Sequence, residues 1–329
     1  MRPSAPHRPG SWPAGVLLLL VLALAGVRRV DAAGDPAPLR FGFSARLFSD
    51  VNEDDARASL KVWAHTVGVE HGVPVDPMLE IYSDTDAIKE AMLGQKVDGV
   101  TMTTLEFWAL RRAMSFRPSV VLGVSHGKTT EEYQLLVRGD NPATQLADLR
   151  GRSLAVAGAT PENLATIWGE TLVLEAHLGT ARSFWRKITR NGKISRVVLP
   201  VFFRQVDACI VTRDGFRTMS ELNPQIGRQL RVLAQSPAVV TTAFCFRGEL
   251  VSPRYDKLVT NAGQVVDTPA GRQVMTLFHS EQAVTRPIAE LDGACALLDR
   301  HQLLLAAASR VTSDPAPARG QPTGGKGEP

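Results

Sequence analysis

Residues 133–168 constrain the fold most, because they predict a strand, a linker, a second strand and a helix start in close succession. Residues 133–137 and 154–157 are short apolar runs typical of buried strands, and an Asp-Asn-Pro break lies between them. The second run ends at Gly158 and leads at once into a helix start. Such a strand faces a helix N-terminus, where unpaired N–H groups attract an anion or a carbonyl.

The helix after this strand is predicted from its capping signals and its apolar spacing. The Thr160 hydroxyl is suited to cap the helix, and Pro161 suits the first helical position, where its missing N–H costs nothing. Leu164, Trp168 and Leu172 then recur every four residues. We therefore expect the helix to begin at Pro161.

Strands and helices alternate along most of the remaining sequence. Further strands are predicted at residues 39–44, 78–82, 97–102, 119–124, 193–199 and 208–212, with a return crossing at 238–247 and helices within 253–304. Helices are also predicted after Asn52, after Ser83 or Asp84, and after Thr103. This alternation favours an α/β fold with mainly parallel sheets, in which ligands lie beyond the carboxyl ends of the strands.

Two segments resemble a known family. The sequence ADLRGRSLAVAG at 147–158 and the strand that begins with VDA at 206–208 are similar to those of periplasmic phosphonate-type substrate-binding proteins, the PhnD/SsuA/transferrin-like family. The resemblance implies the two-lobed type 2 periplasmic binding fold, with helices flanking each sheet and two crossing strands as a hinge. Lobe 1 would comprise 39–130 and 237–304, and lobe 2 would comprise 131–236.

The resemblance also implies a function without catalysis. Such a protein captures a small ligand, by default phosphate, phosphite or a phosphonate, between its lobes and delivers it to an ABC-type permease in the membrane. An alternative is a sensory module whose closure is detected by a membrane kinase. We expect a monomer that needs no cofactor.

The two ends of the chain differ in composition from its centre. Residues 14–27 are apolar and follow Arg2 and Arg8, which predicts a signal peptide over 1–32 and export to the periplasm. Because Arg28 and Arg29 follow the apolar run, an uncleaved N-terminal membrane anchor stays an alternative. Residues 311–329 are rich in Pro, Gly and Ala, which predicts a disordered tail.

Cysteine count and charge exclude several classes of function. The sequence contains three cysteines, Cys209, Cys245 and Cys295. Because this number is odd and no CxxC spacing is present, neither a zinc site nor a disulfide framework is indicated. The net charge of +4 includes arginines of the signal peptide and does not indicate nucleic-acid binding. The basic run 182–196 is interpreted as a solvated surface, with a docking face for a membrane partner as the alternative.

Residues 159–163 stand where the resembled family places hydroxyl groups and backbone N–H groups that hold an oxyanion. Ala159, Thr160, Glu162 and Asn163 are the candidates in this sequence. The match is partial, because Pro161 removes a donor and Glu162 brings a negative charge. Thr160 and Glu162 also suit capping roles, and a neutral, zwitterionic or cationic ligand remains an alternative.

Other candidate ligand contacts follow the predicted strands. They are Ser44, Arg46 and Phe48 after the first strand, Thr103 and Thr104 after the third, and Thr212 and Asp214 after the last strand of lobe 2. An arginine in such a loop is suited to a bidentate contact with an oxyanion. Thr103 and Glu106 form a capping box, which favours Thr104 as the contact, and Asp214 suits either a ligand amine or an ordinary turn.

Residues 123–127 match G-x-S-x-G, the nucleophile elbow of α/β-hydrolases, and raise the alternative of an exported serine hydrolase that uses Ser125. The elbow requires a helix directly after the serine, whereas the sequence predicts a strand from residue 133. Ser125 and His126 are therefore interpreted as residues of the hinge or the cleft edge.

Overall fold

The computed structural model describes residues 37–48, 51–70, 72–158 and 160–313. The predicted signal peptide at 1–32, Ala159 and residues 314–329 lie outside these ranges. The described strands are β1 (Phe41–Ser44), β2 (Glu80–Tyr82), β3 (Gly99–Thr103), β4 (Ser119–Val124), β5 (Tyr133–Arg138), β6 (Ser153–Ala157), β7 (Lys187–Asn191), β8 (Ala208–Thr212), β9 (Leu230–Gln235), β10 (Thr242–Phe246) and β11 (Gln282–Pro287).

Eleven α-helices lie in the described ranges. They are α1 (Glu53–Glu70), α2 (Thr85–Leu93), α3 (Thr104–Leu110), α4 (Leu164–Glu175), α5 (Ala181–Phe184), α6 (Ile194–Phe202), α7 (Arg213–Leu222), α8 (Pro224–Gln229), α9 (Pro253–Thr260), α10 (Pro269–Leu277) and α11 (Asp292–Ser313). Because α11 continues to Ser313, residues 311–313 of the predicted tail are helical. Within the described ranges, no helix has the length and apolar character needed to cross a membrane.

The strands form two sheets, one in each lobe. Lobe 1 contains six strands in the order β11-β4-β10-β3-β1-β2, and lobe 2 contains five in the order β7-β6-β8-β5-β9. The predicted two-lobed α/β fold is confirmed. The expected parallel pairing holds for β2-β1-β3 and β7-β6-β8, whereas β10, β11, β5 and β9 pair antiparallel with their neighbours, so both sheets are mixed.

Two chain crossings join the lobes. Glu131, just before β5, and Val239, just before β10, pair in an antiparallel bridge. The N–H of each donates to the carbonyl of the other, at 2.8 and 2.9 Å. The crossings therefore run side by side, which is the arrangement of a two-stranded hinge.

The C-terminal helix α11 packs on both lobes. Its Ala294 and Leu298 belong to the apolar core of lobe 2 around Trp168. Asp299, one residue further, accepts hydrogen bonds from lobe 1, at 2.8 Å from Nε1 of Trp108. The prediction that 237–304 belongs with lobe 1 therefore describes only part of the contacts of this helix.

Local signals explain why several lobe 1 helices begin where predicted. The Asp84 side chain accepts a hydrogen bond from the N–H of Ala87 and caps α2. Thr103 and Glu106 form the predicted capping box at α3, in which each side chain accepts from the backbone of the other. These reciprocal contacts stop β3 and start α3 at the same residue, at the cleft end of the sheet.

Two predictions in lobe 2 are wrong. Residues 193–199 were predicted as a strand, but 194–199 belong to α6, whose buried Val197, Val198 and Val201 follow helical spacing. The β-branched run favours a strand locally, but packing of this apolar face overrides that preference. The helix after β6 begins at Leu164 and not at Pro161, because Asn163 and not Thr160 is its cap.

Candidate ligand-binding cleft

A cavity of about 750 Å³ lies between the lobes and extends into lobe 1. Nine of the predicted contact residues line it: Arg46, Thr103, Ser125, His126, Thr160, Glu162, Asn163, Thr212 and Asp214. The ends of strands and the starts of helices thus meet at one cleft, as the strand order implied.

The lobe 1 wall is organised around the carboxylate of Glu106, which is 1% exposed. Its Oε1 accepts a hydrogen bond from Oγ of Ser44 at 2.7 Å, and its Oε2 accepts from the N–H and hydroxyl of Thr103 at 2.9 and 2.8 Å. Arg46 Nε lies 3.5 Å from Oε1. The buried carboxylate therefore fixes both the end of β3 and the position of Arg46 at the cleft.

The lobe 2 wall contains two helix N-termini. Asn163 Oδ1 accepts from the N–H of Thr166 at 2.9 Å at the start of α4, and Thr212 Oγ1 accepts from the N–H of Gly215 at 3.1 Å at the start of α7. Both capping residues line the cavity. The partial positive charges of α4 and α7 are therefore directed at the cleft.

The loop before α4 depends on a glycine. Gly158 has a φ of +132°, and a Cβ added there would lie 2.5 Å from Nδ2 of Asn163. The same amide group donates to the carbonyl of Thr160. Gly158 thus permits the backbone to turn from β6 while Asn163 folds back over the loop.

Four carboxylates line the cavity, and three of them have an arginine partner. Glu132 lies 2.7 Å from Arg213, Asp214 lies 3.1 Å from Arg217 and Glu162 lies 3.9 Å from Arg46. The hydrogen bond from Arg213 and its charge hold the pKa of Glu132 below its usual range.

The fourth carboxylate, Glu131, lies at the crossing and behaves differently. Much of the residue remains accessible from the cavity, yet the surrounding protein desolvates the carboxyl group and raises its pKa above the usual range. The charge of Asp214 raises this pKa further, while the hydrogen bond from the Tyr133 hydroxyl, at 3.4 Å, acts in the opposite direction. Desolvation therefore disfavours the charged form of Glu131, whereas the hydrogen bond from Arg213 favours that of Glu132.

Three predicted contacts do not reach the cavity. Ser44 is fully buried against Glu106, and Thr104 is fully buried with its hydroxyl donating to the carbonyl of Val240 at 2.7 Å. Phe48 is 5% exposed and packs against Phe278 in the lobe 1 core. These corrections remove Ser44, Thr104 and Phe48 from the contact set, because Ser44 points inward at the end of β1 and the chain after β1 and β3 turns Phe48 and Thr104 inward. Ala159 lies outside the described residues.

Several residues that line the cavity were not predicted from the sequence. They are Thr129, Glu131 and Glu132 in the first crossing, Thr241 and Thr242 in the second, and Thr218, His279 and Ser280. Those in the crossings had a usable signal, because both predicted crossings must border the cleft. The sequence carried no comparable signal for His279, which follows α10 and has a φ of +49°.

Ser125 does not form a nucleophile elbow. Its N–H donates to the carbonyl of Lys128 at 2.9 Å, and the N–H of Lys128 donates back at 3.0 Å. His126 and Gly127 between them have φ values of +50° and +74°, which closes a tight turn. The chain passes from β4 into a turn and not into a helix, so the serine hydrolase alternative is wrong.

Solved structures of several proteins share this fold. A binding protein component of an ABC phosphonate transporter from Pseudomonas aeruginosa is 16% identical over 83% of this chain and 89% of its own, with a TM-score of 0.54. A Xanthomonas citri protein bound to ATP is 17% identical over 84% and 98%, with a TM-score of 0.56. PhnD1 from Prochlorococcus marinus, in complex with methylphosphonate, is 13% identical over 82% and 99%, with a TM-score of 0.54.

Sequence comparison identifies the family. No curated protein sequence matches the chain. A family model described as ABC transporter, phosphonate, periplasmic substrate-binding protein matches residues 47–286. The chain therefore belongs to this family of periplasmic, non-enzymatic solute-binding proteins, which bind a small ligand and work with the membrane components of an ABC transporter.

Proposed function

We propose that the cleft captures a phosphorus oxyanion of the phosphonate class and that closure of the two lobes presents it to a permease. In this proposal the chain is exported by its N-terminal signal peptide and acts as a monomer. The observation that carries the ligand class is the convergence of two helix N-termini, those of α4 and α7, on one cavity that also contains Arg46.

Hydroxyl groups supply the remaining polar contacts for such a ligand. Those that line the cavity include Ser125, Thr129, Thr160, Thr212, Thr218, Thr241 and Thr242, whereas the Thr103 hydroxyl donates to Glu106. Hydroxyls and backbone N–H groups bind an oxyanion by hydrogen bonds without requiring a full positive charge for each oxygen. The site is therefore rich in donors on both lobes.

The cleft carboxylates are compatible with an anionic ligand. Arginines lie next to Glu132 and Asp214, so these two charges are compensated within the protein, and Glu162 shares Arg46 with Glu106. Desolvation raises the pKa of Glu131 and so disfavours its charged form. These contacts support an oxyanion despite the four acidic side chains, whereas a zwitterion would use Glu131 or Asp214 for its amine.

The hinge supports closure as the mechanism. The side-by-side crossings at Glu131 and Val239 connect two separately built sheets, and Arg46 and Glu162 face each other from opposite lobes. A ligand that contacts both lobes stabilises the closed state by its differential affinity for that state.

Thermal unfolding of the full chain with a ligand panel tests this function. The panel contains phosphate, phosphite, methylphosphonate, methanesulfonate, amino acids and polyamines. A ligand at a hundred times its Kd adds about 2.7 kcal/mol of stability, which shifts the Tm by several degrees. We expect shifts with phosphorus oxyanions. Shifts with amines or amino acids alone would overturn the ligand class. In a separate variant, Thr212→Val, the loss of the hydroxyl should weaken the binding of methylphosphonate.

A further inference from the structure

The cavity does not end at the cleft but continues between the lobe 1 sheet and the helices that cover one of its faces. Strand register aligns four side chains in one row across β1, β3, β10 and β4: Phe43, Thr101, Phe244 and Val121. All four line the cavity. This row is the floor of an inner chamber within lobe 1.

The roof of the inner chamber comes from helices on the same side of the sheet. It consists of apolar residues of α1, α9 and α10, of the 3-10 helix Ala262–Asp267 before α10, and of the C-cap of α10, namely Trp63, Leu258, Val265, Val274, Met275 and Phe278. Floor and roof are thus almost entirely apolar. The charged side chains that line the cavity, among them Arg46, Glu131 and Asp214, border the cleft between the lobes, and Thr101 places one hydroxyl in the floor.

The exposure of two floor residues shows that the chamber is open space. Phe244 and Val121 lie on interior strands that helices cover, where apolar side chains are normally fully buried. Both nevertheless keep partial exposure, whereas Phe246, on the same face of β10, is 0% exposed. Side chains between a sheet and its covering helices are normally close-packed, so we interpret this gap as space for an apolar group of a ligand.

The size of the cavity points the same way. Its volume of about 750 Å³ compares with roughly 30 Å³ for each group the size of a water molecule. A phosphonate head of five or six non-hydrogen atoms would fill roughly a fifth of it by that measure. Because this volume also includes the cleft between the lobes, a tail has only the part that lies between the lobe 1 sheet and the helices above it.

We propose that the ligand of this cleft is amphipathic, with an oxyanion head between the lobes and an apolar tail that fills the inner chamber. The inference rests on the proposed function and narrows its substrate class to phosphonates or phosphate monoesters that carry a long alkyl or aryl group. The head meets the donors at the cleft, and the tail passes Thr103 to reach Phe244 and the helices above it.

A chain-length series measured by titration calorimetry on the full chain tests this inference. The probes are methyl-, butyl- and octylphosphonate, with 1-octanol as a tail that lacks the head. Each buried methylene should lower the Kd about fourfold, equivalent to ~0.8 kcal/mol, until the chamber is full. A Kd that stays constant or rises with chain length would overturn the inference.

The same series separates this inference from the proposed function. Methylphosphonate that binds as tightly as octylphosphonate would sustain the proposed function and overturn only the tail. Octanol that binds while all three phosphonates fail would overturn the oxyanion and therefore the amphipathic ligand as well. Failure of every probe would overturn both.

Matched valine variants locate the tail. Val265→Phe fills the inner chamber from its roof, while Val232→Phe makes the same change on β9 of lobe 2, outside the cavity. We expect Val265→Phe to raise the Kd of octylphosphonate about tenfold or more and to leave that of methylphosphonate within about twofold. Val232→Phe should change neither. If Val265→Phe unfolds, Ala262→Leu in the same turn provides a second block; unchanged octylphosphonate binding in a folded variant would overturn the inference.

Discussion

Arg46 of lobe 1 and Glu162 of lobe 2 face each other across the cleft, with 3.9 Å between Nη1 and Oε2. Arg46 also lies 3.5 Å from Glu106, whose carboxylate is buried, whereas the Glu162 side chain is 57% exposed. The Arg46 guanidinium thus lies between two carboxylates, the buried one of Glu106 in lobe 1 and the solvated one of Glu162 in lobe 2.

Substitution of the two partners should therefore have unequal effects. Glu162→Gln should change the free energy of unfolding by less than about 1 kcal/mol, because exposed ion pairs contribute little. Arg46→Met should cost about 1–3 kcal/mol, because Glu106 loses its nearest cation while it stays buried. Urea unfolding of both variants measures this, and equal losses would contradict the assigned roles.

The cap of α4 provides a second prediction. Asn163→Ala should destabilise the protein by about 1 kcal/mol, because the N–H of Thr166 loses its acceptor. Thr160→Ala, three residues earlier and exposed, should change stability by less than about 0.5 kcal/mol. Urea unfolding of the pair at one pH checks the contrast, and a larger loss for Thr160→Ala would place the cap at the position predicted from sequence.

The difference between Thr160 and Asn163 shows where sequence reasoning reaches its limit. Strands such as β4 and β5 and the capping box at Thr103 were predicted closely, because their signals are local. The helix start was placed too early because a Thr-Pro pair is a strong local signal, whereas in the structure the Asn163 side chain accepts the N–H of Thr166 and caps the helix. The prediction of a strand at 193–199 was wrong for a similar reason, because the apolar face of α6 is defined by its packing on the sheet and not by local sequence.

The candidate site, like the strands and helices, was predicted in part from the sequence. Arg46 and Thr212 were found because they follow strands, and such positions gather at one edge of an α/β sheet. His279 and the inner chamber were not found, because they depend on how distant helices sit over the sheet. In the sequence, Phe244 and Val121 are indistinguishable from ordinary core residues.

Gly158 provides a third prediction, on the loop that shapes the lobe 2 wall. Gly158→Ala should cost about 1–3 kcal/mol, because its φ of +132° is strained for any residue with a Cβ and the new methyl would meet Asn163. Gly192→Ala is the matched control, since it also lines the cavity and its Cβ would meet nothing within 4 Å. Unfolding free energies that are equal for the two variants would show that the loop relaxes without strain.

Asp98 should make the stability of lobe 1 depend on acidity. Burial opposes its ionisation, but hydrogen bonds from Arg40 and Arg247 outweigh that effect and hold its pKa below the usual range. A lowered pKa contributes stability above the ordinary value of 3.8 that is lost as pH falls through the folded-state pKa. Asp98→Asn should cost about 3 kcal/mol at pH 7 and progressively less in acid. Tm values from pH 7 down to about pH 3 measure the convergence, and a constant difference would contradict the ion-pair origin.

Glu131 should show the opposite dependence, since desolvation raises its pKa. A raised pKa means that stability is fully present below the ordinary value of 4.5 and is lost as pH rises through the folded-state pKa. Glu131→Gln keeps the shape and removes the charge, so its Tm should exceed that of the unmodified protein at pH 7, and the difference should vanish below about pH 4.5. Glu90→Gln, on the exposed side of α2, should leave the Tm unchanged across this range. A Glu131→Gln variant that is less stable at pH 7 would show that the ionised carboxylate, and not the protonated carboxyl, is the form that the hinge holds.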